Sequence, residues 1–194
     1  MNAENMGFEP GSYDFALCGF MGWDDYYDFV LNEFTGPDPR MQEIYRVLRT
    51  GGRVGLSSWE KQADLDWMQD ILIEHFPSIV TRRNGESAEQ PLVYSKENPA
   101  GIEQILTSAG FNNIQVFKET TEFVSPDEET WWRQMRSVGW YRYFEELSAD
   151  ELIIFKKIVF NDLRALKHED GIHFSKTVIF VSAEKTAVQD VAQQ

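Results

Sequence analysis

The chain has 194 residues, 42% of them hydrophobic and 26% charged, which is enough apolar material for one packed domain with or without an inserted lobe. A formal net charge of −14 and a pI near 4.6 set it against phosphate backbones and anionic membrane surfaces, so nucleic acid is not an expected partner. The single cysteine, Cys18, excludes an intrachain disulfide, no apolar run approaches the roughly 20 residues of a membrane span, and the first residues lack the basic and apolar stretches of a signal peptide, so a cytoplasmic protein is expected.

In chain order, Glu9-Pro10-Gly11-Ser12 signals a turn, and the apolar run Tyr13 to Phe20 reads as a strand buried on both faces, with Cys18 a structural thiol inside it. A loop or short helix around Gly22-Trp23-Asp24 follows. Gly36-Pro37-Asp38-Pro39 breaks the chain before a helix carrying Met41, Ile44, Tyr45, Val47 and Leu48 at near-helical spacing. Arg46 and Arg49 are expected in its last turn, and Gly51-Gly52 is expected to stop it. Val54 to Trp59 reads as a strand and Ala63 to Phe76 as a helix. Pro77 to Pro99 reads as a surface loop or mobile lid. Ala100 to Ala109 is a short helix closed by Gly110, and Asn113 to Val124 alternates as a strand does. Helices are expected over Asp127 to Val138, with Pro126 at the first helical position, and over Ala149 to Lys167. Phe174 to Ser182 is a last apolar strand, and the tail from Thr186 reads as frayed. Strands alternating with helices argue for an α/β sheet covered by helices, with a helical insertion at about 126–170 in a single domain of 1–185 and a tail of 186–194.

Four stretches carry a family resemblance. Asn2-Ala3-Glu4-Asn5-Met6-Gly7-Phe8 and Ser12-Tyr13-Asp14-Phe15 look like the approach to, and opening of, one family strand. Glu43-Ile44-Tyr45-Arg46-Val47-Leu48-Arg49-Thr50-Gly51-Gly52-Arg53 resembles an E-x-x-R-V-L-K-P-G-G-R signature, and Ala109-Gly110-Phe111-Asn112-Asn113-Ile114 resembles an A-G-F-x-x-V turn. In this order they resemble the class I S-adenosylmethionine-dependent methyltransferases, nearest to small-molecule enzymes of the quinone-biosynthesis type. The resemblance implies the C-terminal strands of a Rossmann-like methyltransferase sheet, flanked by helices. It departs from the family where Thr50 replaces the usual proline, and where the Gly-rich turn and ribose-binding acid that hold the cofactor would stand: none of the thirteen glycines forms a G-x-G-x-x-G.

The resemblance places Asn2, Ala3 and Glu4 beside the adenine of S-adenosylmethionine; the plainer expectation there is a frayed end. Cys18, Gly19 and Phe20, with Trp23 after them, follow a strand's carboxyl end, where they either meet the cofactor's sulfonium or pack as core. Ser58 and Trp59 are substrate-side candidates. Trp132, Trp140 and Tyr141, with Trp131 and Tyr143, either line an apolar acceptor pocket or pack a helical lobe. His75, His168 and His173 lack metal-ligand spacing, so no metal is expected, and His173 is a weak candidate for a general base. The expected activity is methyl transfer to a small, apolar acceptor, with the chain alone holding the cofactor weakly; the alternative is a non-catalytic binding or interaction module. Tyr13 to Phe20 sits mid-sheet in the family, and here its edge is expected to be exposed, with a homodimer through it.

Overall fold

Asp38 starts the first helix. Its carboxylate accepts from the backbone of Arg40 and Met41, and Pro39 sets the first turn of α1 (Pro39–Val47). We describe residues 2–22, 27–28, 33–34, 36, 38–77, 97–136, 144–145 and 147–187 of the computed structural model. The strands are β1 (Tyr13–Gly19), β2 (Tyr27–Asp28), β3 (Glu33–Phe34), β4 (Leu48–Gln62), β5 (Asn112–Ser125) and β6 (Ile172–Glu184). The other helices are α2 (Ala63–His75), α3 (Pro99–Ser108), α4 (Glu128–Met135) and α5 (Ala149–Leu166). The four long strands form one sheet in the order β1-β4-β6-β5, while β2 and β3 form a separate antiparallel pair. The fold is the expected mixed α/β sheet flanked by helices.

The chain divides into two compact units. One comprises Met1–Glu60, Ser95–Glu119 and Thr177–Gln194, the other Lys61–Tyr94 and Thr120–Lys176. The strands β4, β5 and β6 are continuous from one into the other. The second unit holds α2, α4 and α5.

In the first unit, α1 and α3 cover one face of the sheet. Met41, Ile44, Ile102, Ile105 and Leu106 pack with Val54, Leu56, Ile179, Val181 and Ala183, all buried. Period-two alternation sends Gly55 and Ser57 of β4, Phe180 of β6 and Phe117 of β5 to the opposite face. Strand β1 runs parallel to β4, with Phe15 beside Arg53, Leu17 beside Gly55 and Gly19 beside Ser57. The expectation that β1 is buried on both faces is overturned. Phe15 is 69% and Leu17 86% exposed, because among the described residues no helix lies over that face and no strand lies beyond β1. Only Ala16 and Cys18, on the helix side, pack against the core.

The Gly-Gly pair is not a helix stop. Leu48 already has extended backbone and begins β4, so Arg49 lies outside the helix and only Arg46 is in its last turn. Gly51 and Gly52 form ladder bonds with Lys185: Gly51 N–H donates to the Lys185 carbonyl at 2.7 Å, and Lys185 N–H to the Gly52 carbonyl at 2.9 Å. The two glycines serve different needs. Gly51 has φ +78°, whereas a Cβ on Gly52 would meet the Arg49 carbonyl oxygen at 2.8 Å. The carbonyls of Tyr45 in α1 and of Leu48 just after it are taken by Lys185 Nζ, each at 2.7 Å.

The second unit is a helical pack. Trp131, Trp132, Phe155, Val159 and Leu163 form a buried cluster with Leu65, Met68 and Leu72 of α2. Asp127, not Pro126, is the residue at the start of α4: it caps the helix by accepting from Thr130 N–H at 2.7 Å. Helix α5 begins on a reciprocal cap between Ser148 and Glu151.

Candidate functional site

Strand β1 ends at Gly19 beside Ser57, and β4 runs on from there to Gln62. Phe20 N–H donates to the Ser57 carbonyl at 2.9 Å, and the Phe20 ring stacks on Trp59, with centroids 4.4 Å apart and planes at 28°. Phe20 leaves the strand with φ +51°, which turns its side chain onto Trp59 instead of continuing the ladder. The ring is 48% exposed, so the pair offers an accessible aromatic platform at the carboxyl edge of the sheet. Ser58, on the opposite side of β4, is buried at 3%. Cys18 is partly buried against the core, and burial pushes its thiol pKa up, which suits a structural thiol rather than a nucleophile.

The N-terminal segment is held against α1 by the E-x-x-R signature. The Glu43 carboxylate takes Arg46 Nε and Nη2 at 2.7 and 2.6 Å and the Met6 N–H at 2.9 Å. Arg46 Nη1 donates to the Phe8 carbonyl at 2.7 Å. Hydrogen bonding from the Arg46 side chain, then from Met6 N–H, holds the Glu43 pKa down at about 2. Asn2 and Glu4 therefore sit in an ordered turn: Asn2 Oδ1 accepts from Glu4 N–H at 3.1 Å and the Asn2 carbonyl from Asn5 N–H at 3.1 Å. The Asn2 amide oxygen is spent on its own loop. Asp14 pairs with Arg49.

Of the sequence candidates, Cys18, Gly19, Phe20 and Trp59 come together on neighbouring strand ends. Trp132 does not join them. It belongs to the second unit, 5% exposed, stacked on Phe144 at 4.9 Å and packed against Phe155, so its ring is core and no pocket lining. Trp23, Trp140, Tyr141, Tyr143 and the expected lid over most of Pro77 to Pro99 lie outside the described residues. His173 has both ring nitrogens engaged, with Asp170 at 2.8 Å and Glu122 at 3.2 Å. Asp170 first, then Glu122, raises its pKa, so it is a tether between strands rather than a free base. Among the described residues no group of three or more metal-ligating side chains is placed to hold a metal ion, and no helix is long and apolar enough to cross a membrane. A cleft of about 240 Å³ lined by Asp38, Met41, Gln42, Ile105, Ser108 and Ala109 contains none of the sequence candidates. Sequence reading missed the buried pair Asp64–Lys176 of the second unit, 2.7 Å apart, because nothing local links residues so distant in the chain.

The described residues do not by themselves fit the whole of S-adenosylmethionine. A Cβ on Gly19 would lie 3.7 Å from Ser57 Oγ, an ordinary contact, so Gly19 opens no special cradle. Among the described residues there is also no Gly-rich turn leading into a helix N-terminus to carry the cofactor's polar ends.

No protein-family model matches the chain, and no curated protein matches it. Its structure is similar to solved S-adenosylmethionine-dependent methyltransferases. A candidate methyltransferase of Bacillus halodurans C-125 is 16% identical, with 96% of this chain and 76% of that one covered and a TM-score of 0.47. A Methanosarcina mazei S-adenosylmethionine-dependent methyltransferase is 15% identical, with 96% and 66% covered and a TM-score of 0.42. Phosphoethanolamine N-methyltransferase 2 of Haemonchus contortus, solved with phosphomonomethylethanolamine and S-adenosylhomocysteine, is 19% identical, with 96% and 36% covered and a TM-score of 0.39. This chain thus spans about a third to three quarters of the length of those proteins.

Proposed function

We propose that this chain carries the acceptor-side part of an S-adenosylmethionine-dependent methyl-transfer site for a small, flat, largely apolar acceptor. The cofactor's polar ends are held by groups outside the described residues. The observation that carries this reading is the Phe20–Trp59 stack, formed just past the carboxyl end of β1 on the C-terminal third of the parallel strand β4. Ligands of open α/β sheets bind at that edge, and an exposed aromatic pair suits a flat apolar ring. The signature Glu43 to Arg53 and the turn Ala109 to Ile114 support the family reading on the same sheet. The cofactor, when bound, supplies an electrophilic methyl group. The chain's own residues position the acceptor and keep water from it, which is the larger part of catalysis in a reaction of this kind.

Two calorimetric titrations test this. With S-adenosylmethionine, the 194-residue chain is expected to give weak binding or no heat, and sub-micromolar affinity would place the full cofactor site within it. With 2-naphthol as a flat hydroxylated probe, Phe20→Ala and Trp59→Ala should each weaken binding by up to about tenfold, the worth of roughly 1 kcal/mol of aromatic contact. Unchanged binding in both variants overturns the acceptor-side assignment. A non-catalytic binding or interaction module is the second reading, favoured by the Asn2 amide oxygen being spent on its own turn and by the bare edge of β1. It predicts no heat with either compound.

A further inference from the structure

Among the described residues, strand β1 is paired along one side, by β4. The aligned pair Gly19 and Ser57, with Phe20 N–H on the Ser57 carbonyl, fixes which backbone groups face β4. In a parallel ladder the residue opposite i bonds to i−1 and i+1, so the N–H and C=O groups of Ala16 and Cys18 point at β4. Those of Phe15, Leu17 and Gly19 therefore point outward, and no strand lies beyond β1 among the described residues. The run carries none of the devices that usually blunt an edge: it has no proline or lysine, and its single charge, Asp14, sits near one end.

We propose that β1 pairs with β1 of a second copy, antiparallel about a two-fold axis at Ala16, so that one sheet runs through both protomers. Over the regular stretch of the ladder the outward groups are those of Phe15, Leu17 and Gly19, so only registers that set these residues against one another exchange hydrogen bonds. Centring on Ala16 places Phe15 opposite the partner's Leu17, so that the two most exposed apolar side chains of the strand meet. The apolar side chains that are 69% and 86% exposed in one copy thereby become cross-strand neighbours. The charges agree with self-pairing. Asp14 is neutralised by Arg49 in its own copy, and this register sets it against the partner's Cys18, away from the partner's Asp14. Arg53, the next charge on that face, pairs with Glu184 at 3.8 Å. The net charge of −14 per chain then acts mainly at distances that salt screens beyond about 8 Å, so added salt should strengthen the association.

Sedimentation equilibrium at tens of micromolar is expected to give a dimer that tightens as salt is raised. Leu17→Pro removes a donor that serves only the outer edge, and Leu17→Lys adds an edge charge. Each should give a folded monomer or weaken association at least tenfold, and the lysine variant carries the test if the proline variant misfolds. Register is read by Ala16→Cys combined with Cys18→Ser. Position 16 would face itself in a pair whose Cα atoms lie about 4.5 Å apart, within disulfide reach, so mild oxidation should give covalent dimers. A monomer at these concentrations overturns the proposal. A dimer indifferent to both Leu17 variants, without cross-linking through residue 16, overturns it equally by placing the interface elsewhere.

Discussion

Glu43 shows how one carboxylate joins sequence signature to architecture. It neutralises Arg46 one turn on, fixes the Met6 amide, and so ties residues ahead of β1 to α1. Its pKa is depressed to about 2, so the stability it contributes is fully present above the ordinary carboxylate value and is lost as pH falls from there towards about 2. Amide exchange at Met6 should therefore accelerate across that acid range, and in Glu43→Gln it should be fast at every pH. His173 has the opposite sign. Its pKa is raised, so the clamp on Asp170 and Glu122 is complete below the ordinary imidazole value near 6.5 and fades as pH rises through the folded value. His173→Gln should accordingly remove a loss of thermal stability that the parent protein shows on the alkaline side of 6.5. The two glycines at 51 and 52 separate conformational from steric demand. Gly52→Ala puts a Cβ 2.8 Å from a backbone oxygen and should cost about 1–3 kcal/mol in urea unfolding. Gly51→Ala, with only an ordinary contact to the Arg49 side chain at 3.6 Å but φ +78°, should cost about 1–2 kcal/mol, the ordinary penalty of left-handed backbone. The signature motif made this corner legible in the sequence, but a helix stop was inferred where a strand begins, because a Gly-Gly pair reads the same in either setting.

At the scale of elements, helices were legible from their caps and apolar spacing, and α2, α3 and α5 fall close to where periodicity places them. The capping box of α5 was not noticed in advance. Ser148→Ala should lower stability by about 1 kcal/mol in denaturant titration, with the loss confined to unfolding of the second unit if the units separate. Strand β1 was read correctly in extent and wrongly in burial. An apolar run reveals that a strand wants burial, and nothing in its own residues says whether a second layer is there to provide it. In the aromatic block, Trp131 and Trp132 follow the packing alternative, and the sequence could not choose between the two for a related reason. Rings such as Trp132 at helical spacing serve a packed lobe or a ligand pocket equally well, and only the tertiary contacts with Phe144 and Phe155 distinguish them.

For the whole molecule, the strand order β1-β4-β6-β5 is a result of the structure that the sequence reading did not supply. Alternation alone would have allowed other orders. The division into two units escaped sequence reading because β4, β5 and β6 are continuous across it, with no linker composition to mark a boundary. The placement of β6 between β4 and β5 bears on how the protein is made. A ribosome releases β1, β4 and β5 before β6, the last of the described strands. Until residues 172–184 emerge, the neighbours they will join have a vacancy between them, and the helix-covered core built on Ile179, Val181 and Ala183 cannot close. From the release of β1 to that of β6 the nascent chain thus carries open strand edges, an interval that at about 5–20 residues per second lasts on the order of ten seconds. Holdase chaperones should bind it for that interval, and stalling translation before Ile172 should yield a protease-sensitive chain.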